Sequence, residues 1–109
     1  MHEIVLAKQI DQVVGLFKRH VRFYVYAKRQ IAGLKISVQS LVTTLSEFES
    51  RIAVIRTRLP SQSPTEQLAT LREVHEIEKD IARDRTSIAH HQRKIETLEC
   101  DLEATWDLW

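Results

Sequence analysis

Residues 10–59 read IDQVVGLFKRHVRFYVYAKRQIAGLKISVQSLVTTLSEFESRIAVIRTRL, and their spacing decides the fold. With Ile10 as the first a position, the a series is Ile10, Phe17, Tyr24, Ile31, Val38, Leu45, Ile52 and Leu59. The d series is Val13, His20, Ala27, Leu34, Leu41, Phe48 and Ile55. His20 is the one clearly polar member. A 3,4 alternation sustained over this whole stretch predicts a long supercoiled helix, because only such a helix holds a seven-residue seam against one partner. The segment Val21-Arg-Phe-Tyr-Val-Tyr26 has strand propensity, but the heptad continues in phase on both sides of it and the helical reading prevails.

The rest of the chain reads as the packing complement of this ladder. Pro60 restricts Leu59 and interrupts the helix, and Ser61, Gln62 and Ser63 supply a polar connection. Ser63, Pro64 and Glu66 then match an N-cap, N1 and N3, the pattern of a reciprocal capping box. Arg56 and Arg58 suit the C-terminal end of the first helix, where positive charge opposes the helix dipole. In the second helix the a series is Val74, Ile81, Ile88, Ile95, Leu102 and Trp109, and the d series is Ile77, Asp84, His91, Leu98 and Thr105. Leu68 and Leu71 are expected to open its apolar face, with a small register shift before Val74. Asp84 and His91 form a polar middle, expected beside solvent, in a register-setting layer or at a partner.

A connector of a few residues makes the two helices antiparallel neighbours. The expected architecture is therefore all-α: a single domain over residues 1–109, with helix one at about 3–59, a turn at about 60–63 and helix two at about 64–108. Two Gly and two Pro in 109 residues leave little punctuation for anything more compact. Gly15 and Gly33 weaken the helix while permitting close backbone approach. A two-helix rod buries little surface, so self-association is expected, as a dimer forming a four-helix bundle from two hairpins. Between Val13 and Ala27 the apolar band widens beyond a and d, with Val14 and Val21 at e and Leu16 and Phe23 at g, which favours more than one helical neighbour.

Charge is divided along the chain. Residues 1–46 hold seven Lys or Arg and two acids, whereas residues 47–109 hold nine basic and thirteen acidic residues, within an overall net charge of +1. Lys18, Arg19, Arg22, Lys28, Arg29 and Lys35 fall in a stretch, residues 12–46, with no acid. Folding about residues 61 and 62 brings together positions whose numbers sum to about 123, so Arg22 is expected level with Asp101, and Lys28 with Ile95 and Glu96, with Glu99 between. Lys18, Arg22 and Lys28 against Glu96, Glu99 and Asp101 then fix the antiparallel orientation.

The function this pattern favours is interface burial: a scaffold or adaptor subunit that assembles with itself and with other proteins. The expected interface residues are Phe17, Val21, Phe23, Tyr24, Ile31, Leu34, Val38, Leu41, Leu45, Phe48, Ile52 and Ile55 on the first helix. On the second they are Ile81, Ile88, Ile95, Leu98, Leu102, Trp106 and Trp109. No catalytic, cofactor-binding or metal-binding residue is assigned. His90 and His91 point about 100° apart on a helix and do not converge on one ion. Ser61 and Ser63 are explained by turn and cap formation, and no Gly-rich phosphate loop is present. Cys100 excludes an intrachain disulfide and is expected as a small side chain near the seam, with Glu99 and Asp101 discouraging a thiolate.

Two alternatives use the basic, aromatic segment at residues 18–35: phosphate contact with stacking on Phe23, Tyr24 and Tyr26, or adsorption to a membrane surface. The first is disfavoured by the placement of Tyr24 in the seam and by the acids of the second helix, the second because burying the apolar band in a bundle removes it from lipid. No segment is apolar enough to span a bilayer, the N-terminus is unlike a secretory signal, and a cytoplasmic location is the expectation. The terminal Trp106-Asp-Leu-Trp109 resembles acidic-aromatic peptides such as the clathrin-binding W-box, in which two Trp are separated by two residues, with Thr105 where a proline usually precedes. That resemblance implies a partner-recognition terminus; the alternative is that Trp109 extends the a ladder and Trp106 closes the bundle against Leu16 or Phe17.

Overall fold

The computed structural model describes residues 2–107, with side chains for residues 3–105, as an antiparallel hairpin of two long helices. Helix α1 runs His2–Arg58 and helix α2 runs Pro64–Asp107, joined by a 3-10 turn over Leu59–Ser61. The molecule is a rod of 93 × 16 × 15 Å. At 1.5 Å per residue α1 alone accounts for about 85 Å of that length, and α2 for about 66 Å.

The heptad ladder explains what is buried. From Ala27 to Leu59 every a and d residue of the first ladder is buried or half-buried, as is every a and d residue of α2 from Val74 to Thr105. Ile52, Ile55, Val74, Ile77 and Ile81 form the core cluster, with Leu45 and Phe48 packed against it. Two helices cannot enclose a side chain on all sides, so the seam is a strip and not an interior. Among the described residues only Ala27 reaches 0% exposure, because a methyl group is short enough to vanish between the two backbones.

Among the described residues three ion pairs cross the rod: Lys35 Nζ to Glu99 Oε1 at 3.6 Å, Arg85 to Glu49 at 3.1 Å, and Arg56 to Glu78 at 3.4 Å. All six residues occupy e positions, and in each pair the numbers sum to 134. The a and d layers inside these flanks consequently pair positions that sum to 129. Ile52 lies level with Ile77, Phe48 with Ile81, Leu45 with Asp84, and Val38 with His91. This corrects the expected sum of about 123. The chain does not reverse at the end of α1: it continues along the axis through Leu59–Ser61 at about 2 Å per residue, passes an extended Gln62, and only then starts α2.

The first turns of α2 therefore pack beside the 3-10 segment and not beside α1. Gln67 Nε2 donates to the carbonyls of Leu59 at 2.9 Å and Gln62 at 3.2 Å, and Thr70 Oγ1 donates to Gln62 Oε1 at 2.7 Å. These groups satisfy carbonyls left open where α1 ends. Gln67 and Thr70 hold the a and d positions that precede Val74, so the heptad runs into the turn without a shift. Leu68 and Leu71, expected to open the apolar face, lie outside the seam and are exposed. At the cap, Glu66 N–H donates to Ser63 Oγ at 3.3 Å. The return bond of a reciprocal box is not formed among the described hydrogen bonds; Ser63 O instead accepts from Gln67 N–H at 2.8 Å.

Other expectations are also corrected. A Cβ added at Gly15 or Gly33 meets nothing within 4 Å, so neither glycine serves close packing. Cys100 sits on the outer face at an f position and is exposed. Asp84 does not face solvent: it is 7% exposed, within the seam, with the Arg83 guanidinium Nε 3.7 Å from its carboxylate.

Candidate interaction surface

The register has a consequence for the far end of the rod. If layers sum to 129, Asp107 is level with Arg22, and residues 2–21 of α1, an overhang of about 30 Å, lie past the level of the last described residue of α2. The lengths of the two helices and of the rod agree with this offset. The heptad pattern persists through the overhang.

Apolar side chains that the pattern assigns to a seam are partly exposed there. Leu6, Ile10, Val13, Val14, Phe17 and Val21 keep between 41% and 57% of their surface exposed. Leu16 and Tyr24 are similarly open, and Phe17, His20, Val21 and Tyr24 line a shallow apolar groove. A run of this kind is longer than the scattered single apolar residues common on protein surfaces, and contiguous exposed apolar patches mark interaction sites. The shaft below is different. Its flanking e and g positions carry Lys35, Glu49, Arg51, Arg56, Glu73, Glu78, Asp80, Arg85, Lys94, Glu99 and similar polar groups.

The sequence-expected interface residues thus separate into two sets. Ile31, Leu34, Val38, Leu41, Leu45, Phe48, Ile52 and Ile55 meet Ile81, Ile88, Ile95, Leu98 and Leu102 within the hairpin, where all are buried or half-buried. Phe17, Val21 and Tyr24 belong to the exposed end, and Phe23 there is half-buried. The side chains of Trp106 and Trp109, and with them the acidic-aromatic terminus, lie outside the described residues.

The charge layout follows the same offset. Glu99 pairs with Lys35, not with Arg22 or Lys28. Lys28 Nζ instead lies over the Tyr24 ring, 5.6 Å from its centroid. Lys18, Arg19, Arg22 and Arg29 occupy b, c and f positions on the outer face and are in no ion pair among the described residues. Glu96 and Asp101 are exposed on α2. The described cross-helix pairs lie nearer the turn than expected and run in both senses: Lys35 and Arg56 of α1 meet acids of α2, whereas Glu49 of α1 meets Arg85 of α2.

Gln67 and Thr70 are structurally important residues that sequence reasoning missed. The signal for them was present, since stepping the α2 heptad back from Val74 lands on 70 and 67. Among the described residues no group of three or more His, Cys, Asp or Glu is placed to hold a metal ion, and no helix is long and apolar enough to cross a membrane. The His90 and His91 rings lie 6.1 Å apart and tilted by 47°. No known protein family, curated protein or solved structure matches the chain.

Proposed function

We propose that this protein is a non-enzymatic scaffold or adaptor: a stiff two-helix shaft that presents the N-terminal overhang of α1 as a docking element for assembly into a larger complex. The observation that carries the proposal is the apolar exposure near the start of α1, where Ile4, Leu6, Ile10, Val13, Val14 and Leu16 keep 45–65% of their surface open on an element that is already helical. A preformed helix binds without the ordering cost that a disordered segment incurs, and an apolar stripe laid into a helical groove is a recurring recognition mode. Assembly through the overhang is favoured over side-by-side packing of shafts into a four-helix bundle, because the shaft's flanks are charged and its seam is already filled.

Isolation of the native complex tests this reading. Val13→Asp with Leu16→Asp should abolish retention of partner proteins while leaving the hairpin's helicity intact. Unchanged partner retention by that variant refutes the proposal. One observation supports a second reading, nucleic-acid binding: Lys18, Arg19, Arg22 and Arg29 form an outer basic face and are in no ion pair among the described residues. Binding of that kind weakens steeply with added salt, whereas an apolar helix interface does not.

A further inference from the structure

We infer that one flank of the shaft, where Tyr26 and Gln30 of α1 face Arg93 and Lys94 of α2, binds single-stranded nucleic acid; this rests on the nucleic-acid reading above and adds a groove and a second helix to it. The two flanks of the rod differ. The described ion pairs that cross between the helices, Lys35 with Glu99, Glu49 with Arg85 and Arg56 with Glu78, all lie on the e flank. Among the described residues none crosses the g flank. A shallow groove of about 420 Å³ opens there, a volume within the range of small-ligand sites. Its floor is Leu34 and Leu98 of the seam, with Tyr26 and Gln30 on one wall and His90, Arg93 and Lys94 on the other.

Charge defines the ligand. On the c, f and g positions, which border and back this flank, residues 19–46 of α1 and 81–100 of α2 contain no acid. Arg19, Arg22 and Arg29 of α1 and Arg93 and Lys94 of α2 stand on those positions and are in no ion pair among the described residues. Arg93 Nε donates to the Ala89 carbonyl at 3.4 Å, which holds the side chain to its own helix while both Nη groups have no partner among the described hydrogen bonds. The acids that the sequence sets against this segment are elsewhere. Glu99 is held by Lys35, and Glu96 and Glu103, at b positions, also lie toward the e side. Asp101, at the g position one heptad beyond Lys94, bounds the groove, so the basic path leaves it along α1 through Arg22 and Arg19. Cations spread in a band over two helices fit a chain of phosphates better than a single anion.

Tyr26 selects a single strand. Its side chain is 57% exposed at the edge of the groove, and Arg22 and Arg29 are its neighbours one helical turn before and after. An unpaired base can stack on such a ring while the phosphates beside it reach Arg29, Arg93 and Lys94, and the Gln30 amide offers both a donor and an acceptor to a base edge. In a duplex the bases are already stacked on one another, and the ring gains nothing. An acidic peptide satisfies the cations but brings no planar group to Tyr26. A lipid surface needs projecting apolar side chains, whereas Leu34 and Leu98 are half-buried at the groove's floor.

The test is fluorescence anisotropy of the purified chain with a labelled single-stranded oligouridine of about 12 nucleotides. Each of the five cations should contribute about 0.7 to the fall of log affinity with log salt, a slope of about −3.5 in all. Arg93→Gln with Lys94→Gln should reduce the magnitude of that slope by about 1.4. Tyr26→Ala should weaken binding about tenfold with the slope unchanged, and Tyr26→Phe should bind like the parent. These side chains are exposed, circular dichroism verifies that each variant keeps its hairpin, and Arg72→Gln, near the turn, should bind like the parent. Failure to bind oligouridine overturns the inference and the nucleic-acid reading together. If Arg19→Gln with Arg22→Gln weakens binding while the Arg93, Lys94 and Tyr26 variants do not, the groove falls and the outer basic face of α1 stands. A duplex of the same length that binds as tightly as the single strand overturns the inference. So does competition by poly-glutamate or phosphatidylserine vesicles equal to that of unlabelled oligouridine at matched charge, which would point to an acidic protein or a membrane.

Discussion

Replacing Asp84 by leucine should make the hairpin more stable. Asp84 occupies a d position, level with Leu45, between Ile81 and Ile88 on its own helix, and is 7% exposed. Its neighbouring cation is Arg83 Nε at 3.7 Å, on a side chain 69% exposed, so the pair is loose and largely hydrated on one side. Removing a carboxylate from an apolar strip and adding a leucine there gains about 2 kcal/mol from burial, the lower half of the range for a leucine, since a two-helix seam covers each side chain incompletely. Helix propensity adds about 0.5 kcal/mol, because aspartate inside a helix is among the poorer residues. With a urea m-value of about 2 kcal/mol/M, the total of about 2.5 kcal/mol raises the unfolding midpoint by about 1 M. Urea titration by circular dichroism, at protein concentrations where the chain is monomeric, measures this directly. Asp84→Ala separates loss of the charge from gain of the leucine and should show a smaller increase. A midpoint that falls in both variants would refute the reasoning: the carboxylate would then contribute more to the native state than the apolar contacts it displaces.

Ile77→Ala, in the centre of the core cluster, should cost about 2–3 kcal/mol in urea unfolding, toward the low end for buried isoleucine because water reaches the vacated space from the rod's sides. Gly33→Ala, in helical backbone with open space around an added Cβ, should raise stability by about 0.5–1 kcal/mol; a decrease would reveal a packing role that the geometry does not contain. Gln67→Ala should cost about 1–2 kcal/mol by leaving the Leu59 and Gln62 carbonyls without their shared donor, and amide exchange should quicken first at the turn. Reversing both members of the exposed Glu49 and Arg85 pair should restore parental stability to within about 0.5 kcal/mol, a result that checks the register by double-mutant cycle.

Much of the elongated hairpin is legible in the sequence, and for a physical reason. Helices, the break at Pro60, the cap at Ser63 and the seam from Ala27 to Leu59 are local or periodic properties, and a period of 3.5 residues leaves no other face for the apolar residues to share. Asp84 and His91 are equally visible as interruptions of that seam, but whether a polar residue at d is dry or wet depends on how many helices surround it. In this two-helix rod Asp84 is almost wholly covered.

What the sequence by itself determined is therefore the pair of helices and the face each turns to the other. What only the tertiary structure decided is how far they slide past one another. Successive heptads are nearly equivalent, so apolar residues fit at several offsets. The offset is chosen at the turn, where Leu59–Ser61 carries the chain onward before it reverses and Gln67 and Thr70 close the end. That stagger moves Glu99 from between Arg22 and Lys28 to Lys35 and carries the start of α1 past the level of the last described residue of α2. The same apolar residues that read as seam in the sequence, from Leu6 to Val21, stand in the structure as a surface.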